Sequence, residues 1–236
     1  MNISILLPTR KRTQALTKSV TSLLERAENP ANLEILIAYD NDDTESSEYF
    51  AENGDWIQLM KKYNTNTQVA ECEPQGYLNL NTYVNSLAEA SRGHLLMFWN
   101  DDAEMLTDNW DSLVWQNKNY FGLLRMPCVN QPHPFALFPI IPAKWTEIFG
   151  CVSPVNHSDW WIYNVCVRMN RIKNLPIEVI HNRADVNGEN NDETYKNNSY
   201  ALDGRSPHDP RDYSHPQRQK DLSDWVTTLM LYGYPH

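Results

Sequence analysis

No stretch of this chain is apolar for long enough to cross a membrane as a helix, which takes about 20 consecutive apolar residues. Basic residues are also in short supply. Twenty Lys and Arg stand against 30 Asp and Glu, for a formal net charge of −10. A nucleic-acid backbone needs clustered cations, so this balance argues against nucleic acid as the main partner. It leaves room for a single nucleotide, which needs only local groups and a metal. Glycine is scarce, and none of the eight glycines falls in a GxGxxG arrangement. A dinucleotide-binding loop of the usual kind is therefore not expected. The four cysteines, Cys72, Cys128, Cys151 and Cys166, form no CxxC pair, so no zinc site is suggested. The chain opens directly on an apolar strand with no basic-then-apolar leader. The cysteines are accordingly expected as buried free thiols, in a cytoplasmic protein.

What the chain does contain is a stretch, Leu95 to Glu104, that organises the rest. Five large apolar residues, Leu95 to Trp99, run straight into Asn100-Asp101-Asp102. A continuous apolar run of this length reads as a strand buried on both faces of a parallel sheet. In open α/β sheets, ligands bind at the carboxyl ends of the strands. Two adjacent carboxylates there repel each other and lose water, and a divalent cation relieves both penalties. Oxygen ligands of this kind suit Mg²⁺ or Mn²⁺. A solvated acidic turn that caps the next helix is the plainer reading of the same residues.

In chain order, Ile3 to Leu7 is the first strand, and its exit loop exposes Thr9 and Arg10. Thr13 is an N-cap candidate for a helix reaching Arg26, with Leu16, Val20, Leu23 and Leu24 on its apolar stripe. Glu34 to Ala38 is the second strand and runs into the acidic loop Asp40-Asn41-Asp42-Asp43. A short helix follows over Thr44 to Glu52, and Val69-Ala70 marks a short third strand. A helix spans Tyr77 to Ser91, and another Asp108 to Asn119. Phe121 to Met126 is a further strand. Phe135 to Ile141 contains Pro139 and is expected at a sheet edge or as irregular extended chain. Pro142 is expected in the first turn of the helix Ala143 to Phe149. A helix starts at Ser158 or Asp159, and Pro176 to Ile180 is a last strand that delivers His181. From Asn182 to Lys220 apolar residues are sparse, which reads as a polar lid or tail. Helical periodicity returns through Leu222, Trp225, Val226 and Leu229.

The segments ISILLPTRKR, EILIAYDNDD, LLMFWNDDAEML, FPIIPAKWTEIFG with HSDWW, and IEVIHNRADVNGENNDETY follow one another from Ile3 to Tyr195. In this order they resemble the GT-A nucleotide-sugar glycosyltransferases, near the family 2-like members. The resemblance implies an α/β, Rossmann-like fold with a mostly parallel central sheet flanked by helices, then a polar lid or tail and a terminal helix. It implies one domain, with residues 1–181 as its body and 182–236 as the lid segment and last helix. It also implies sugar transfer from a nucleoside-diphosphate sugar to a hydroxyl acceptor, a glycan or another molecule, assisted by Mn²⁺ or Mg²⁺. Two departures stand out. Asn100 occupies the first position of the DxD-like segment, and Ser158-Asp159 stands where Glu-Asp is common.

The resemblance assigns roles residue by residue. Asp102 is the direct metal ligand, and His181 a further metal or phosphate contact. Asp159 is the base of an inverting transfer, though an N-cap role is the ordinary reason for Asp at a helix start. Thr9, Arg10, Asp40, Tyr77, Asn81, Asn100 and Asp101 face the nucleotide, with Asn85 in the same helix as a weaker candidate. Trp160 and Trp161 can stack on sugar rings or pack the core. Two alternatives stay open: a sugar nucleotidyltransferase, disfavoured because PTRKRT has no glycine, and a non-catalytic binding protein that keeps the fold.

Overall fold

A computed structural model describes residues 2–76, 79–130, 132, 136–182 and 216–231. Its centre is a seven-stranded sheet in the order β3-β2-β1-β4-β7-β6-β8. The strands are β1 Ile3–Pro8, β2 Leu33–Asp40, β3 Asn66–Cys72, β4 Leu95–Phe98, β6 Leu123–Arg125, β7 Ile140–Pro142 and β8 Ile172–Asn174. Pairings β1–β2, β1–β4, β2–β3 and β6–β8 are parallel, while β7 runs antiparallel to β4 and β6. Two short strands, β5 Ala103–Met105 and β9 Val179–His181, pair antiparallel in a second sheet.

Successive side chains of a strand face opposite sides, and the strand sequences divide accordingly. Ile3, Ile5, Leu7, Ile35, Ile37, Leu95 and Met97 meet Leu16, Val20 and Leu23 of α1 (Thr13–Arg26), together with Trp56 and Met60 of α3 (Asp55–Tyr63). Leu6, Leu36, Leu96 and Ile141 point the other way. They pack on Tyr83 and Leu87 of α4 (Leu80–Ala90), Trp145 of α6 (Lys144–Phe149), and Trp161 and Ile162 of α7 (Ser158–Arg168). Two further helices are α2, Thr44–Phe50, and α5, Trp110–Trp115. The last, α8 (Pro216–Leu231), lays Leu222 and Leu229 into the second core. Its Trp225 stacks on Phe149 with ring centroids 3.7 Å apart and meets Trp161 edge-on at 5.2 Å. Among the described residues no helix is long and apolar enough to cross a membrane. The cysteines are all free thiols; Cys128 and Cys166 are buried, Cys72 and Cys151 half-buried.

Three local expectations change, and one stretch that had no assignment gains a helix. The segment around Pro139 is not at an edge: β7 lies between β4 and β6. Proline lacks only the donor, and the Pro139 carbonyl still accepts the Phe98 N–H at 3.0 Å. Pro142 closes β7 instead of opening α6, which Ala143 leads into. Thr13 does not cap α1. Arg12 holds the cap position, and the Thr13 hydroxyl donates to Glu45 at 2.6 Å. The residues between Gly54 and Asn64, unclear from pattern alone, form α3, with Asn64 as its left-handed C-cap. The lid expected over residues 182–220 falls largely outside the described residues.

One charge holds the amino end of the sheet. Glu34 of β2 is fully buried. Its carboxylate accepts from the Ser4 hydroxyl at 2.7 Å, and from the Arg92 N–H, Arg92 Nε and Gln68 Nε2 at 2.9 Å each. Gly93 donates its N–H to Ser4 Oγ, and a Cβ at Gly93 would sit 2.5 Å from that oxygen, so the approach requires glycine. Burial alone would raise the Glu34 pKa, but the Ser4, Arg92 and Gln68 donors outweigh it and hold the pKa below its usual value. A depressed folded pKa contributes stability above the unfolded value of about 4.3 and loses it as pH falls through the folded value. Glu34→Gln is expected to cost about 2 kcal/mol at pH 7. Urea unfolding at pH 7 and pH 3 checks this, and the gap between the two proteins should narrow at the lower pH.

Candidate active site

Strands β1, β2 and β4 run parallel, so their carboxyl ends share one edge of the sheet. Thr9 and Arg10 follow β1, Asp40 ends β2, and Asn100-Asp101-Asp102 follow β4. The loop after β4 is pinned from α1. The Trp99 indole N–H donates to Ser19 Oγ at 2.7 Å, and that hydroxyl donates to the Asn100 carbonyl at 2.9 Å.

The structure separates the two aspartates. Asp101 is buried and accepts from Thr9 Oγ1 at 2.7 Å and from Arg12 Nη1 at 3.0 Å. Burial pushes its pKa up to about 6 against the pull of Arg12, and the neighbouring Asp102 adds to the rise. Asp102 turns the other way. Its Oδ1 lies 3.0 Å from His181 Nε2, and its Oδ2 is 3.7 Å from Arg12. Its carbonyl accepts the Asn182 N–H at 2.8 Å. The pairing of β5 with β9, Ala103 opposite His181, brings these partners together.

Asn100 Nδ2 also lies 3.1 Å from His181 Nε2. One imidazole nitrogen cannot both donate to Asp102 and accept from an amide N–H. Turning the amide, whose orientation is assigned from its neighbours, places an oxygen there. An Asp102 oxygen and an Asn100 oxygen then both lie beside His181 Nε2. Two ligands each about 2.1 Å from one octahedral cation lie about 3 Å apart, close to the separation seen. Among the described residues no three His, Cys, Asp or Glu side chains converge to hold a metal. Two oxygens and one nitrogen suit Mn²⁺ or Mg²⁺, and Asp102, Asn100 and His181 are the residues that would hold such an ion.

Arg10 donates to Asp40 at 2.7 Å and grips Asp42 with both of its terminal nitrogens, one at 2.9 Å. Asp40 also accepts from the Tyr83 hydroxyl. Burial and that bond push the tyrosine's pKa up to about 12. Asp43 is spent on structure: it caps α2 through the Ser46 N–H at 3.1 Å and accepts the Lys11 N–H at 2.7 Å. Asp159 lies in the first turn of α7, half-buried, accepting the Trp160 N–H at 2.8 Å. Burial raises its pKa to about 6, and the hydrogen bond from the Trp160 N–H opposes part of that rise.

Not every expected residue reaches this group. Asn85 holds the loop ahead of α7, accepting from Val152 and Ser153 N–H at 2.9 and 3.2 Å and donating to the Ser153 carbonyl at 2.9 Å. Asn81 reaches the same carbonyl at 3.5 Å. Tyr77 lies outside the described residues. Trp161 is fully buried in the core, whereas Trp160 is half-buried. Arg12 and Tyr83 contact Asp101 and Asp40 without having been among the expected site residues. Tyr83 sits on the apolar stripe of α4, where only its hydroxyl distinguishes it. For Arg12 the signal was present, as the third of three cations that follow β1 and face an Asp-Asp pair.

No protein-family model matches the chain, and no curated protein matches it. Solved structures do. S. aureus TarS 1-349 in complex with UDP aligns with TM-score 0.56 and 13% identity, over 98% of this chain and 91% of that one. The same protein in complex with UDP-GlcNAc gives TM-score 0.57 and 12% identity, over 98% and 73%. The mannosyltransferase PcManGT from Pyrobaculum calidifontis, in complex with GDP-Man and Mn²⁺, gives TM-score 0.55 and 11% identity, over 100% and 76%. The fold is GT-A. At these identities the likeness is one of fold, and the GT-A sheet accounts for the common edge on which Thr9, Asp40 and Asp101 stand.

Arg12 supplies the cation for both aspartates. Arg12→Ala is expected to cost about 3 kcal/mol at pH 7.5, where the buried Asp101 carboxylate loses its cation and Asp102 a second one. At pH 5 Asp101 takes up its proton and the cost should shrink. Urea denaturation at the two pH values measures the difference.

Proposed function

We propose that this chain is a glycosyltransferase that moves a sugar from a nucleoside diphosphate to an acceptor hydroxyl, with inversion at the anomeric carbon. The carrying observation is the gathering of Asp102, Asn100 and His181 at the carboxyl edge of the sheet. The GT-A neighbours with bound UDP, UDP-GlcNAc or GDP-Man support a donor of that class. In this reading residues 1–181 carry the donor and base groups, and 182–236 belong to the same domain.

Asp40 accepts from the nucleoside, with Arg10 and Thr9 beside it. Arg10 carries the charge that meets the diphosphate once it leaves Asp42. Asp102 and His181, with Asn100, would hold the Mn²⁺ or Mg²⁺ ion. When bound, that ion supplies Lewis-acid stabilisation of the departing diphosphate. Asp159 takes the proton of the acceptor hydroxyl as its oxygen bonds to the anomeric carbon and the bond to the diphosphate breaks. A carboxylate near pKa 6 is mostly ionised at neutral pH and is a better proton acceptor than one near 4. Attack from the face opposite the leaving group inverts the centre.

Thermal shift with UDP and GDP, each with and without Mn²⁺, tests the donor site. One nucleotide should raise the melting temperature in a metal-dependent way, since it binds only the folded state. Asp102→Ala should abolish the shift. A folded protein that responds to neither nucleotide would overturn the reading. With the donor identified, Asp159→Asn should lower kcat by about 10²- to 10⁴-fold with KM little changed. In the unaltered enzyme the rate should rise with pH and reach half its plateau near pH 6, as Asp159 ionises.

A further inference from the structure

His181 is held in an unusual way. Its ring Nδ1 is buried and makes no hydrogen bond among the described residues. Histidines that ligate metals ordinarily fix their ring by donating from the other nitrogen. Here the ring meets Phe138 edge-on at 5.3 Å, and its placement depends on the backbone beneath it.

That backbone is gripped by a side chain. The extended segment after β6 pairs with β9 as far as Val179, through Val179 N–H to Pro127 O at 3.2 Å and Val129 N–H to Val179 O at 2.9 Å. Two residues later the ladder is continued by the carboxamide of Asn130. Its Oδ1 accepts the His181 N–H at 3.0 Å, and its Nδ2 donates to the His181 carbonyl at 3.0 Å. A planar amide bonded at both ends to one residue acts as a substitute peptide unit, and it fixes that residue's height and rotation together. Cys128 Sγ lies 3.2 Å from the same Oδ1 and steadies it.

We infer that Asn130 is the positioning residue for His181, setting its imidazole against Asp102 so that the two meet one divalent cation. The inference rests on the proposed metal-assisted function. Asn130 itself is exposed and lies beyond the end of β6, outside every named strand, so its side chain, not its backbone, does the holding.

Two measurements test it. Amide hydrogen exchange reads the clamp directly. Asn130→Ala should speed exchange at the His181 N–H by about tenfold or more and leave the Val179 N–H, which bonds to Pro127, unchanged. Asn130→Asp keeps the acceptor for the His181 N–H and should keep its exchange slow. Calorimetric titration of Mn²⁺ into the protein saturated with UDP or GDP reads the consequence. Asn130→Ala should weaken Mn²⁺ by about 10- to 100-fold, while nucleotide affinity in EDTA stays within twofold. Unchanged His181 exchange in Asn130→Ala overturns the clamp. Faster exchange with unchanged Mn²⁺ affinity overturns the positioning role. If the unaltered protein binds no Mn²⁺ with either nucleotide, the glycosyltransferase reading and the metal part of this one fail together, and the exchange result alone decides whether Asn130 sets His181.

Discussion

Asp101 and Asp102 follow each other at the end of a strand whose every side chain is buried, and water reaches neither freely. Carboxylates so placed must find donors or cations in the protein. The response comes from several elements at once. Thr9 and Arg12 bracket Asp101 from the loop after β1, and His181 reaches Asp102 from β9. Ser19 on α1 restrains the Asn100 carbonyl just before them. Segments far apart in the chain are thereby tied to one turn, and the small β5–β9 sheet exists next to it.

The two ends of the sheet handle charge differently. At the amino end, Glu34 takes four donors on its two oxygens and has little capacity left. At the carboxyl end, the groups are crowded but incompletely matched, with a single imidazole nitrogen between a carboxylate and an amide. Arg10 is shared between Asp40 and Asp42. A saturated network makes a rigid base. An unsaturated one has interactions still to offer a ligand, which fits the general placement of sites in α/β sheets.

The elements built from long, repeated signals were legible in the sequence. The uniform apolar runs of β1, β2 and β4, and the stripe of α1, dictate burial on their own, and each formed where expected. Short elements were not. β5 and β8 have three residues each and are strands only because β9 and β6 lie alongside. β7 reads as an edge because of Pro139, yet the proline falls just outside the ladder. At the site, residue types and strand ends pointed to the acidic turn, to Asp40 and to His181. What sequence could not show was division of labour between neighbours. Nothing in Asp-Asp says which carboxylate faces Arg12 and which faces His181, because that depends on β9 arriving from 80 residues away. Asn130 was equally hidden, since a loop asparagine has many ordinary uses.

Trp99 links this edge to the interior. Its ring lies 4.9 Å from Phe138, whose ring in turn lies 5.3 Å from His181, while its indole N–H is bonded to Ser19. A change of charge or occupancy around His181 therefore alters the field and packing at a buried indole two rings away. The molecule carries its own optical probe of that edge, and with eight tryptophans in the chain its emission is isolated by comparing the protein with Trp99→Phe. Spectroscopy can then follow the filling of the acidic turn in real time, with no label attached.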